Sequence, residues 1–430
     1  GPVTLLLVAS YFTPQLQGYF YTFASLLALQ VFVELSLHVV IVNVSSHEWA
    51  KLQLDENGRL IGDQAALGRL VSLGRRVAAW YGIAGLVFVV GVGAAGVVFF
   101  WQKALPQHEW LQPWIALVVP TGLLLWTLPL VSILEGCNQV ATVNKFRILQ
   151  AVTGNLVVWA AIALGAGLWT AAASAAVRLL WELYLLCVRY RRFFQPFWSA
   201  PEGSPIDWRT EIWPLQWRLA IQGVFHYFAF FLFTPVMLQF HGAAVAGQMG
   251  MTWTVLTALQ AGAFAWVQTR TPLFGMLIAR KDYRELDRVF MRVASISFVV
   301  LVAAGTAFCA FVVLINSLGH PLALKLSPRL LPVAPTLALT LAVILQQISK
   351  CQNIYIRAHK RDPFLVLSCI VNISAGTLIW LLGKHQGPLG AALGYLGVIA
   401  LIQVPGWTWI WLRARAEWHA TPNAMSPRQD

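Results

Sequence analysis

Arg178 and Glu182 stand four residues apart in the apolar run 169–188, one helical turn from each other on one face. An ionised side chain at the centre of a membrane-length helix costs on the order of 3 kcal/mol unless it is paired or faces water. Two roles therefore stand open for Arg178: a cationic anchor for an anionic substrate in a central cavity, or half of a neutralising pair with Glu182 that fixes helix packing. Arg218 lies about 10 Å into the run 212–239, by helical rise. Its guanidinium either snorkels to the surface or points into a cavity. Gln30, Glu34 and His38 follow one another at four-residue spacing, which on a helix makes one polar stripe that must avoid lipid. The stripe either takes up a coupling proton or cation, or hydrogen-bonds across helices. His226 adds a further polar position inside an apolar run, as do Gln239, Gln248, Gln260 and Gln268.

The elements that must position these groups follow from composition. Of 430 residues, 58% are hydrophobic and only 11% charged, with a mean hydropathy of +0.66. A soluble domain is about 25% charged, so a water-soluble fold of this length would expose apolar surface over much of its area. The chain reads as an all-α polytopic membrane protein. Disorder, collagen, nucleic-acid-binding domains and disulfide scaffolds are excluded at the same step. The five cysteines show no CxxC spacing, which argues against a metal or disulfide role.

A crossing helix needs about 20 apolar residues. Runs of that length lie at roughly 19–44, 77–101, 113–134, 147–168, 169–188, 212–239, 243–269, 293–316, 331–349, 363–382 and 388–412. Residues 1–12 are too short to cross and are expected to be the second half of a truncated first helix, giving about 12 transmembrane helices. Lys and Arg crowd into alternate loops; only Lys103, Lys325, Arg329 and Lys384 fall in the other set. The positive-inside rule then places the rich loops and both termini in the cytoplasm, and topology alone accounts for the +13 net charge, with no nucleic-acid partner needed.

A weak repeat divides the chain. LEGCNQVATVNKFR and ISKCQNIYIRAHKR match so that Cys137 pairs with Cys351 and Arg147 with Arg361 at one common offset. Six spans per half is an even number, so the halves share one orientation, a common transporter plan with the site between them. The expected domains are a six-helix lobe over 1–190, a cytoplasmic linker over 191–211, a second six-helix lobe over 212–412 and a cytoplasmic tail over 413–430.

Catalytic signatures fail one by one. GVGAAG at 91–96 matches GxGxxG but sits inside an apolar run with no preceding strand, where small residues serve helix packing. His47-Glu48 lacks the second His of a zinc helix. Membrane glycosyltransferases and phosphate-transferring enzymes need placed carboxylates. The non-cytoplasmic loops hold one, Glu109, and are short; the cytoplasmic acids form no DxD or DxxD cluster. A glycan polymerase or ligase is therefore disfavoured, and no cofactor is expected.

GYFYTFASLLALQVFVEL at 18–35, LEGCNQVATVNKFRILQ at 134–150, WRTEIWPLQWRLAI at 208–221 and TPLFGMLIARKDYRELDRVFMR at 271–292 resemble bacterial polysaccharide flippases. These are the Wzx-type O-antigen and exopolysaccharide exporters of the multidrug/oligosaccharidyl-lipid/polysaccharide (MOP) superfamily. The resemblance implies two six-helix lobes in the bacterial inner membrane around a cavity open alternately to each side. It implies an undecaprenyl-pyrophosphate-linked oligosaccharide as substrate, H⁺ or Na⁺ as coupling ion, and glycan polymerases as partners. Cavity cations of such flippases hold the pyrophosphate, a role the resemblance assigns here to Arg178 and Arg218; Glu34, His38, Gln30, Glu182 and His226 are the coupling or cavity-polar set. The rival within the superfamily is a small-molecule cation antiporter of the multidrug branch, which favours an acid-dominated cavity.

Overall fold

The computed structural model describes residues 1–101, 103, 105–198, 206–318, 321–359 and 363–419. The side chains of Pro2, Pro214, Leu215, Arg218, Leu219, Pro321, Leu322, Trp418 and His419 lie outside the description. The apolar runs form helices, and their packing separates the chain into Gly1–Gly247 and Gln248–Asp430.

The first unit opens with α1 (Pro2–Tyr11) and α2 (Pro14–Leu27). Thr13 begins α2 by accepting a hydrogen bond from the Leu16 amide, and Pro14 needs no donor in the first turn. The sequence leads one to expect a straight helix over 19–44. Instead a 3₁₀ turn at Ala28–Gln30 leads into α3 (Val31–Glu34), and Leu35 and Ser36 both adopt left-handed backbone, φ 52° and 55°, before α4 (Leu37–Trp49) resumes. Neither residue is glycine, so each such conformation costs of order 1 kcal/mol. The break interrupts the helical hydrogen bonding around Glu34; the Tyr81 hydroxyl donates to the Glu34 carbonyl at 3.4 Å.

A short hairpin follows that the all-helical reading did not include: β1 (Leu52–Leu54) pairs antiparallel with β2 (Leu60–Gly62), Leu52 opposite Gly62. Asp63 then caps α5 (Gln64–Phe100), accepting from the Ala66 amide at 2.8 Å. The helices α6 (Gln107–Gly136), α7 (Val140–Ala163) and α8 (Trp169–Tyr184) come next, α8 running on as a π turn through Leu185–Arg189. The small residues of GVGAAG do pack helices. A Cβ at Gly96 would stand 2.3 Å from the Trp114 ring of α6, and Trp114 Nε1 donates to the Gly93 carbonyl at 3.1 Å. At one end of the unit, Leu37, Leu73, Val77, Ile133, Phe193 and Phe197 belong to a continuous apolar core.

A π turn at Trp208–Ile212 precedes α9 (Trp213–Phe230) and α10 (Phe233–His241), and α11 (Ala243–Gln268) carries the chain into the second unit. The expected single span over 212–239 is bent by 41° between Ala220–Phe230 and Phe233–His241. Pro235 explains the position: its ring lacks a donor for the carbonyl four residues back, that of Phe231, where the helix breaks.

The second unit continues with α12 (Thr271–Ala279), α13 (Tyr283–Ser317), α14 (Pro321–Leu326), α15 (Val333–Ala358), α16 (Leu365–Val398) and α17 (Val404–His419). Within α16 the chain turns at Gly387, φ 67° and ψ −150°, a conformation only glycine takes cheaply, with Pro388 next. Among the described residues eight helices are long and apolar enough to cross a membrane, nine with the bent pair. The Leu365–Glu417 stretch, 53 residues broken at Gly387, supplies both expected runs 363–382 and 388–412. At ten residues α1 is short of a crossing, and α11 is long enough but diluted by Gln248, Thr252, Thr254, Thr257 and Gln260.

Candidate functional site

Within the first unit a cavity of about 770 Å³ is lined by Gln30, Glu34, His38, Arg147, Asn155 and Arg178 against an otherwise largely apolar wall. It is walled by α1, the broken stretch α2–α4, α6, α7 and α8. A smaller cavity of about 350 Å³ adjoins it; Arg147 and Arg178 line both.

The two arginines are built alike. Arg178 Nε donates to Glu182 Oε1 at 3.2 Å, and the other carboxylate oxygen of Glu182 bonds the Thr127 hydroxyl of α6. Arg147 Nη1 lies 2.5 Å from Glu135 Oε1. In each pair the carboxylate is the deeper partner: the side chains of Glu182 and Glu135 are 9% and 18% exposed, those of Arg178 and Arg147 58% and 51%. Each guanidinium commits one nitrogen to its carboxylate, and each arginine lines the cavity. Both readings of Arg178 thus meet in one geometry. It neutralises Glu182, and it still offers donors to the cavity.

By helical rise Arg147 is about 10 Å from the start of α7, and Arg178 about 14 Å from the start of α8, which returns from the opposite end. Gln150 Nε2 reaches the Arg178 carbonyl at 3.5 Å and ties the two helices together at this level.

The stripe Gln30–Glu34–His38 does not lie on one continuous helix, since the left-handed residues 35–36 intervene. All three side chains nevertheless line the same cavity, and His38 Nδ1 touches Glu34 Oε1. His226 lies on α9 with its ring 4.1 Å from that of Phe230 and is not among the residues lining this cavity. Arg218 falls on α9, with its side chain outside the described residues.

Two cations went unrecognised in the sequence. The apolar run begins at 147 and so sets Arg147 among the loop basic residues, yet α7 begins at Val140. Lys350 was likewise placed beyond a run ending at 349, whereas α15 continues to Ala358. Its Nζ donates to Gln260 Oε1 at 2.5 Å, and Gln260 Nε2 passes the chain to Gln346, which donates to the Tyr395 hydroxyl at 2.9 Å. The signal that could have exposed Arg147 is its place in the repeated LEGCNQVATVNKFR segment, which also supplies Glu135.

No family model matches the sequence, and no curated protein matches it. Solved structures align along nearly the whole chain. An inward-facing multidrug resistance MATE family transporter of the MOP superfamily matches at 13% identity over 98% of this chain and 95% of its own, with a TM-score of 0.74. A MATE structure in the straight conformation matches at 13% identity over 97% and 92%, with a TM-score of 0.57. A MOP superfamily transporter from Pyrococcus furiosus matches at 13% identity over 98% and 92%, with a TM-score of 0.56; its structure is described as having a binding pocket of reverse polarity that suggests a different function. At such identities the likeness is one of fold. The chain has the multi-pass helical fold of MATE transporters of the MOP superfamily.

Proposed function

We propose that the chain is an alternating-access transporter that flips an undecaprenyl-pyrophosphate-linked oligosaccharide across the bacterial inner membrane, with two six-helix lobes divided at 191–211. One observation carries this reading. Arg147 and Arg178 present half-exposed guanidinium groups to one cavity while their carboxylates lie buried behind them. A pyrophosphate offers oxygens that match the forked donors of arginine, and the bond gains strength where bulk water is thin. Arg178 stands level with Gln150, about one turn beyond Arg147 along α7, a step that suits an anion entering from the basic, cytoplasmic side. The four sequence stretches similar to Wzx-type exporters support the same substrate. Pocket polarity has pointed to function elsewhere in this fold: the Pyrococcus furiosus transporter is described in those terms.

A second reading, export of small cations, draws on Glu34 in the same cavity and on the multidrug names of the structural neighbours. The two part in one experiment. The chain, expressed in a strain lacking its O-antigen flippase and in one lacking its multidrug exporters, should restore surface glycan in the first and leave drug sensitivity unchanged in the second. Drug resistance without glycan would reverse the assignment.

A further inference from the structure

A separate pocket of about 490 Å³ opens between α5, α6 and α8 and shares no lining residue with the large cavity. Its wall is apolar and aromatic, with Ala78, Trp126, Leu130 and Phe194, and Arg75 and Arg191 line it as well. Trp198, another lining residue, is 83% exposed. An indole left this open is stable where the surrounding medium is the headgroup region of a bilayer, the depth at which tryptophan collects.

Further arginines lie near this pocket in the chain, with Glu56 and Asp207 next to their contacts. Arg76 Nη1 donates to the Ile206 carbonyl at 3.1 Å, Arg192 Nη1 donates to the carbonyl and side-chain oxygens of Asn57 at 3.2 Å, and Arg189 rests 5.8 Å from the centre of the Tyr190 ring. None of these three contacts is an ion pair. Arg191 is exposed, and among the described residues none pairs with it. A basic rim over an apolar slot between membrane helices is complementary to a lipid with a negative headgroup.

We propose that this pocket binds an anionic glycerophospholipid of the cytoplasmic leaflet, one acyl chain lying against Trp126 and Leu130 and the phosphate at Arg75 and Arg191. The site is independent of the transported substrate, because it lies outside the cavity that holds Arg147 and Arg178.

The test is native mass spectrometry of the full chain in detergent, titrated with dioleoylphosphatidylglycerol or dioleoylphosphatidylcholine. The expected result is one retained phosphatidylglycerol with a preference on the order of thirtyfold, the scale that two arginines supply at an anionic surface. R75Q/R191Q removes the charge and abolishes the preference; Ala78→Trp fills the slot and loses the lipid with both arginines in place. R280Q/R284Q, which removes two arginines elsewhere, leaves the preference intact. Excess glycerol 3-phosphate does not displace the lipid. Equal retention of the two lipids, unchanged preference in R75Q/R191Q, lipid retained by Ala78→Trp, displacement by glycerol 3-phosphate, or an equal loss in R280Q/R284Q would each overturn the proposal. Each variant is first shown to be monodisperse with a wild-type unfolding temperature. If R75Q/R191Q does not fold, R191Q alone, at an exposed side chain, carries the charge test.

Discussion

Arg178 bonds Glu182 through Nε, at 3.2 Å, and not through its forked end. A pair that existed only to cancel charge would gain most from the two-bond arrangement of guanidinium and carboxylate. Here the second carboxylate oxygen is taken by Thr127, and the terminal nitrogens of Arg178 are not used on Glu182.

The first prediction separates pairing from substrate contact. Arg178→Ala strands Glu182, 9% exposed, and should cost on the order of 2 kcal/mol of stability as well as export. Adding Glu182→Ala should restore the stability, since no unpaired charge remains, while surface glycan stays absent at matched protein levels. Full recovery of glycan by the double variant would limit Arg178 to neutralising Glu182.

Arg147 should behave as the second contact of the same anion. Arg147→Lys keeps the charge but not the fork and should retain part of the glycan export; Arg147→Ala should remove most of it. The stability loss in Arg147→Ala should be roughly 1 kcal/mol, because the guanidinium is half exposed and screened. Wild-type export by Arg147→Ala would remove it from the site.

A third prediction concerns the left-handed break. At Ser36 a glycine adopts the observed backbone freely, so Ser36→Gly should raise the unfolding temperature in detergent or leave it unchanged, and Ser36→Ala should not. A continuous helix there would give the opposite order, with glycine about 1 kcal/mol worse than alanine.

Orientation can be read with a membrane-impermeant thiol reagent on a chain freed of its five native cysteines. Cysteine at Gln107 or Lys325 should label in intact cells, and cysteine at Gln195 only after lysis. External labelling at 195 would invert the topology drawn from the Lys and Arg distribution.

Much of this architecture was readable before the coordinates, for definable reasons. Apolar runs mark helices because hydrocarbon leaves the backbone no partner but itself, and the turn at Gly387-Pro388 and the bend before Pro235 are written in residues that break helices. The break at Leu35-Ser36 was not readable. Neither residue favours left-handed backbone, so the conformation is set by surrounding contacts, which a local sequence does not contain. Arg178 and Glu182 stood out because they interrupt an apolar run. Arg147 and Lys350 did not, because each sits at the edge of one. A hydropathy boundary marks where apolar residues stop, whereas α7 and α15 extend about two turns past it.

The pairing of each cavity arginine with a buried carboxylate also bears on how the membrane voltage acts. Arg147 with Glu135 and Arg178 with Glu182 are electrically neutral units, so an empty site returning across the bilayer moves no net charge on their account. Under the proposed function a pyrophosphate cargo adds its negative charges to that neutral background. The field, worth about 2.3 kcal/mol per charge for each 100 mV, then acts on the cargo's own charge, which these two pairs do not offset. With the cell interior negative, it pushes an anion outward. Under that function the voltage favours delivery, and the two neutral pairs do not oppose the reset.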